Sequence, residues 1–243
     1  MSVCGPNDMV LIEQGHRTLP GRLTDDLTHA IVSGAIPAGT KISESELANQ
    51  YSVSRGPLRE AIRRLEGRGL VCHTPHAGAR VVTLNPNEVL EVYAVREALE
   101  GMAARLAAIH MSHKEIDELR ILLDEHEVAI NRAEGREYFQ DEGDLDFHFR
   151  IVRGSENDKL INLLCGELYH LVRMYRYRSS RIASRPQKAL AQHRHILDSI
   201  AARDGELAEI LMRRHISGAQ KNIALQLENN KGSNAIIDEK KND

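Results

Sequence analysis

The sequence predicts a mainly α protein of two domains: an N-terminal winged helix-turn-helix with a small β-hairpin wing, then an all-α helical bundle. Three observations carry that reading. Apolar residues recur at helical spacing along most of the chain, β-prone runs are confined to residues 70–82, and strong helix-start signals punctuate residues 43–186. At 243 residues the chain is long enough for two domains of ordinary size. The expected divisions are an N-terminal extension over 1–15, a first domain over 16–84, a second over 85–229 and a flexible tail over 230–243, where few residues have anything to bury.

Leu23, Leu27, Ile31 and Val32 predict a first helix over 23–33 that stops at Gly34, before the Pro37-Ala38-Gly39 turn. Ser43-Glu44-Ser45-Glu46 reads as a capping box for a brief second helix ending by Tyr51. Ser54 is placed to cap a third helix, along which Leu58, Ile62, Leu65 and Leu70 recur every three to five residues. Residues 70–73 and 79–82 then flank Thr74-Pro75-His76-Ala77-Gly78 as a hairpin, and a hairpin after three helices makes a winged helix. In Asn85-Pro86-Asn87-Glu88 a cap, a proline at the first helical position and an acidic first turn open the second domain. Ser112-His113-Lys114-Glu115 opens another helix, and breaks at 155–158 and 184–186 leave about six helices, enough for a bundle.

Composition removes several function classes. No stretch approaches the roughly 18 apolar residues that span a bilayer, and the first fifteen residues lack a signal peptide's basic start and apolar run. A cytoplasmic protein without a membrane partner is expected. Cys4, Cys72 and Cys165 are isolated and odd in number, which suggests neither a disulfide framework nor a thiolate zinc site. Three Phe and no Trp argue against an aromatic platform for single-stranded nucleic acid.

Charge is distributed unevenly. The formal net charge is -3, yet Arg55, Arg59, Arg63, Arg64 and Arg68 crowd onto the third predicted helix. Arg55, Arg59 and Arg63 lie to one side of the Leu58-Ile62-Leu65 stripe, where a recognition helix presents side chains to a major groove. Arginine suits that place because its planar fork bonds both acceptors of a guanine edge or straddles a phosphate. Local rather than global charge decides whether a surface attracts phosphate. Ser54 and Pro57 at the helix start, with His76 and Gly78 at the wing, complete the candidate DNA contacts. Specific recognition by one small module is weak, so a homodimer on an inverted-repeat operator is expected.

The run PAGTKISESELANQYSVSRGPLREAIRRLEGRGLVCHTPHAGARVV, residues 37–82, resembles the winged-helix domain of GntR-family bacterial transcription regulators, with SVSRGPLREAIRRLEGRGLV as its most specific part. The resemblance implies double-stranded DNA as partner and regulation of transcription as function. Many members carry Arg where Ser45 stands, and that Arg contacts bases; Ser45 is therefore a DNA-facing position whose operator preference is this chain's own.

In the second domain the histidines carry the signal. His148 shares a predicted face with Leu145, Ile151 and Val152, and Asp144 sits one turn before it. His193 shares a face with Leu190, Leu197 and Ile200, and His215 with Leu207, Leu211 and Gly218. One histidine on an apolar face is usually a core residue with a satisfied hydrogen bond. Three of them with a carboxylate would each cost about 1–3 kcal/mol if buried unpaired, and one divalent ion per chain (Zn, Ni or Mn) satisfies Asp144, His148, His193 and His215 together. Arg96 lies on a stripe with Val89, Val92 and Tyr93 and faces inward. It either pairs with Glu97 or Glu100 or clamps an acid ligand; Tyr169 and Arg173 can line the same cavity.

This all-helical region resembles the FCD effector domain of the FadR subfamily. Many such domains bind metal through a DxxxH pair and two later histidines, which Asp144 to His148, His193 and His215 match, and they place an Arg where Arg96 stands in REALEGMAARLAA. The resemblance implies a repressor answering to a small carboxylate effector. The alternative is a metal-dependent enzyme on a helical bundle. Its di-iron version needs two Glu-x-x-His motifs facing each other, and within the helical region only Glu167-Leu168-Tyr169-His170 occurs; a mononuclear hydrolase needs a general base, and no Glu stands out near the proposed ligands.

Overall fold

The structure, a computed structural model, describes residues 18–74, 78–83, 86–134, 146–179 and 185–239. The chain divides into two compact units, Met1–Thr83 and Leu84–Asp243.

The first unit holds α1 (Leu19–Val32), α2 (Glu44–Gln50), α3 (Arg55–Gly67), β1 (Val71–Thr74) and β2 (Gly78–Val81). Helix α1 begins four residues before the expected Leu23. The signal missed is Thr18, whose side chain accepts from the Gly21 amide at 3.3 Å ahead of Pro20 in the first turn. The helix stops as expected at Gly34, whose φ of +78° is a left-handed conformation that suits glycine. Ser43 caps α2 through the Glu46 amide. Leu23, Leu27 and Ile31 of α1 pack with Leu58, Ile62 and Leu65 of α3 in a core closed by Leu70 and Val81. Burying one such leucine contributes about 1.5–3 kcal/mol, so the α1–α3 seam dominates the unit's stability. Strands β1 and β2 pair antiparallel, with Val71 opposite Val81 and Thr74 opposite Gly78. The segment after the 37–39 turn joins their edge, where Ile42 donates to the Ala79 carbonyl at 2.8 Å and Val81 to that of Thr40 at 2.9 Å.

The second unit is helical: α4 (Pro86–His110), α5 (His113–Arg132), α6 (Phe147–Gly154), α7 (Asp158–Ile161), a π-helical turn (Asn162–Glu167), α8 (Tyr169–Ser179), α9 (Arg185–Ala201) and α10 (Gly205–Glu239). Counting α7, the π turn and α8 as one interrupted rod recovers the six helices expected. Ser112 forms a full capping box at the head of α5, accepting from the Glu115 amide while its own amide donates to the Glu115 carboxylate at 2.8 Å. Helices α4 and α10 pack along one another, and α9 bridges α4, α5 and α10. Helix α10 runs to Glu239, past residue 229, where a flexible tail was expected. No proline interrupts it after Gly205, and extending a helix costs far less than starting one. Among the described residues no helix is long and apolar enough to cross a membrane.

Candidate functional sites

Helix α3 buries Leu58, Ala61, Ile62 and Leu65 and leaves Arg55, Arg59 and Arg63 exposed. Ser54 occupies the N-cap position, but its hydroxyl makes no cap bond, contrary to expectation. The first amides of α3 are left without that side-chain acceptor, an arrangement open to an anion such as a phosphate. The five arginines divide in two. Arg68 holds the fold, donating from Nη1 to Thr28 Oγ1 at 2.8 Å and to Asp25 on α1 at 3.4 Å. Arg64 pairs with Glu60 along the helix, and Arg59 ties α3 to α2 by donating from Nε to Glu44 at 2.7 Å. Arg55 and Arg63 make no ion pair among the described residues. Ser45 is exposed on α2 with its hydroxyl 3.2 Å from that of Ser43, and Pro57 is half-buried. Gly78 opens β2 at a φ of +81°, which a side chain would strain. His76 lies outside the described residues.

In the helical unit α6, α9 and α10 each bring one imidazole to a common point. His148, His193 and His215 are buried, and each offers a nitrogen within 4.8 Å of the others. His193 Nε2 lies 3.2 Å from His215 Nε2. Phe147, fully buried beside His148, stacks on the His193 ring at 4.3 Å between centroids and fixes its plane. Asp144, the expected carboxylate ligand, lies outside the described residues. His215 belongs to a buried face formed by Ala208, Met212 and Ile216, while Leu207 is 43% exposed. Of the expected Leu207-Leu211-His215 stripe, His215 is buried and Leu211 half-buried, while Leu207 falls outside the face because i+4 spacing drifts across a helix that turns every 3.6 residues.

Glu100 is the main residue that sequence reasoning left out of the site. Its Oε1 accepts from Arg96 Nε at 2.7 Å and its Oε2 lies 2.6 Å from His148 Nδ1, joining α4 to α6. Burial opposes its charge, but Arg96 and then His148 outweigh burial and hold its carboxyl well below the usual carboxylate range. An ionised carboxylate only accepts, so His148 donates from Nδ1 and its Nε2 is the nitrogen left for a ligand. A Glu therefore does stand beside the proposed ligands, contrary to expectation, although a carboxylate held ionised by a buried guanidinium is poorly suited to taking up a proton. Burial, reinforced by the neighbouring imidazoles, pushes His193 and His215 well below the usual histidine range; His148 is lowered too, burial outweighing Glu100. His215 Nδ1 donates to Gln192 Oε1 at 2.9 Å, which leaves its Nε2 as an acceptor.

The helix carrying His148 is itself held in place. Asp146, fully buried, caps α6 by accepting from the His148 amide at 2.9 Å, and its second oxygen accepts from Arg176 of α8 at 2.6 Å. Arg173 and Tyr169, expected to line the cavity, are buried on α8, with the Arg173 guanidinium 5.7 Å from the Tyr169 ring and the Tyr169 ring 5.2 Å from Phe149. From α8, Arg176 holds the Asp146 cap of the helix that carries His148. Arg96 takes the expected inward place on α4 and makes the Glu100 pair offered as one of its two readings.

Residues 20–81 match the description "Bacterial regulatory proteins, gntR family", and residues 91–218 match the FCD domain. The chain is 33% identical over 203 residues to the "Probable D-xylose utilization operon transcriptional repressor" of Paenarthrobacter nicotinovorans, spanning 82% of this chain and 86% of that one. It is 33% identical over 180 residues to the "Nta operon transcriptional regulator" of Aminobacter aminovorans, 73% of this chain and 81% of the relative. The "HTH-type transcriptional repressor RspR" of Escherichia coli K12 is 28% identical over 201 residues, 83% and 85% of the two chains. Among solved structures, E. coli McbR/YncC superposes with a TM-score of 0.67 at 20% identity, over 86% of this chain and 98% of that one. A GntR regulator from Rhodococcus sp. RHA1 gives 0.65 at 22% identity, over 84% and 96%. At those identities the structural likeness is one of fold. The sequence relatives are transcription regulators and not enzymes, which removes the metalloenzyme alternative. A winged helix over residues 20–81 and an FCD bundle over 91–218 make this chain a member of the GntR family of bacterial transcription regulators.

Proposed function

We propose that this protein is a repressor whose hold on its operator is set by a small carboxylate bound beside a divalent ion in the helical unit. The observation that carries the reading is the meeting of three buried imidazoles, from three helices, within 4.8 Å. Their chemistry fits an ion. The 3.2 Å between His193 Nε2 and His215 Nε2 is close to the edge of about 3.3 Å between two nitrogens that each sit about 2.05 Å from a tetrahedral zinc. Burial keeps all three rings neutral, the form that ligates. His148, His193 and His215 would hold the ion, Asp144 adding the carboxylate of the DxxxH pair. Zn, Ni and Mn all suit that donor set, at one per chain. A bound ion would supply fixed positive charge and open positions for an acid's oxygen.

The chain's own residues do the rest. Glu100 holds His148 in the tautomer that presents Nε2, and the Asp146 cap with Arg176 holds the backbone of α6. Arg96 spends Nε on Glu100 and keeps its two Nη groups to grip an acid's carboxylate through charge-assisted bonds. An acid changes DNA affinity only by preferring one arrangement of the protein over another. Drawing α4, α6, α9 and α10 around one ligand is such a preference, passed on to two winged helices in a homodimer on an inverted repeat. Repression as the mode is supported by the names of the relatives from P. nicotinovorans and E. coli.

The test combines metal analysis with fluorescence anisotropy on the DNA upstream of the protein's own coding region. Protein purified without chelator should carry about one ion per chain, and His193→Ala should lose most of it. Arg96→Lys should keep the ion and the charge facing Glu100 but lose the acid response, because a lysine lacks the fork. Metal-free parent protein that still answered to its acid would sink the scheme.

A further inference from the structure

We infer that Tyr93 is a second anchor for the acid's far carboxylate, its hydroxyl acting with the Arg96 guanidinium; the inference rests on the effector reading above. Tyr93 is 1% exposed, and its hydroxyl is buried without a hydrogen-bond partner. Buried tyrosine hydroxyls usually find a partner, and an exception calls for an explanation such as a missing ligand or water. Tyr93 lies one turn before Arg96 on the inward stripe of α4, and the Arg96 Cζ sits 4.6 Å from the centre of its ring.

Arg96 is also incompletely used. Its side chain is 2% exposed, and Nε to Glu100 is its one hydrogen bond among the described residues. The Arg96 Nη groups, which carry no hydrogen bond among the described residues, and the buried Tyr93 hydroxyl are therefore neighbouring donors with capacity left over. Glu100 takes only the Nε of Arg96 on one oxygen and gives the other to His148 Nδ1, so no Nη group is spent on it. An apolar ligand would leave every one of these groups unpaired, and a cation would face a buried guanidinium. A carboxylate has two oxygens on one carbon, one for an Arg96 Nη–H and one for the Tyr93 hydroxyl. The pair thus selects a compact acid with a carboxylate at the end away from the histidines.

A structural tyrosine and a ligand anchor differ in one measurable respect: the orphan hydroxyl has no bond to lose in the ligand-free protein. The test uses full-length, metal-loaded parent and Tyr93→Phe, with lactate, malonate, malate, citrate and gluconate as probes. Metal content, ligand-free melting temperature and calorimetric affinity are read for both proteins. Tyr93→Phe should keep its metal and melt no lower than the parent, while any probe that binds the parent should bind the variant about tenfold or more weakly. Equal affinity in parent and variant, or a lower ligand-free melting temperature in the variant, overturns the role of Tyr93 alone. If none of the five acids binds the metal-loaded parent, the effector reading falls and takes this inference with it.

Discussion

Replacing Glu100 with glutamine removes the anion that faces two buried groups at once. Arg96 is 1% and Glu100 4% exposed, so the guanidinium has no access to bulk water when its partner loses charge. Breaking a buried ion pair by changing one partner costs about 3–5 kcal/mol, and glutamine still offers a neutral acceptor, which places Glu100→Gln at about 3 kcal/mol. Replacing both partners should cost far less, since a neutral pair of similar volume leaves no uncompensated charge and the glutamine still accepts from His148 Nδ1; Arg96→Met with Glu100→Gln is therefore expected within about 1 kcal/mol of the parent. The same glutamine weakens the grip on the His148 tautomer, so metal affinity should fall about 10- to 100-fold. Urea unfolding of metal-free protein, followed by circular dichroism, measures the first pair of values, and competition with a chelator measures the third. Single and double variants that unfold within about 1 kcal/mol of each other would refute the account of Arg96 and Glu100 as a coupled buried pair.

Arg55→Ala and Arg63→Ala should each weaken operator binding by about 1–3 kcal/mol in anisotropy titrations at constant salt, with unchanged melting temperature, because both are exposed and make no ion pair among the described residues. Ser112→Ala should cost about 1 kcal/mol at pH 7, read by urea unfolding, since it dismantles the capping box at the head of α5. Its cost should shrink in acid. The Ser112 side-chain and backbone hydrogen bonds hold the Glu115 carboxyl below its ordinary value, so this stability is present above the unfolded carboxyl's pKa of about 4.3 and is lost as pH falls through the lower folded value. A penalty that grew between pH 5 and pH 3 would contradict the box.

Local rules made much of this fold readable from the chain alone. The caps at Ser43 and Ser112, the stop at Gly34 and the Leu58-Ile62-Leu65 stripe depend on residues within a turn or two of each other, so order along the chain is sufficient to read them. The same holds for the inward side of His148, His193 and Arg96, set by helical period. Helical period also misled at Leu207, where the drift of i+4 spacing put an exposed side chain on the inward stripe of His215. What only the tertiary structure decided are meetings between residues far apart in the chain. The reach of Glu100 to His148 spans 48 residues, and Arg176 meets Asp146 across 30. Which arginines of α3 are spent on the fold was likewise hidden, because Arg68 finds Thr28 and Asp25 on a helix some 40 residues earlier. A chain's pattern records which face of a helix is buried; which groups meet there depends on how the helices pack, and packing sums many weak contacts that no single stretch of sequence contains.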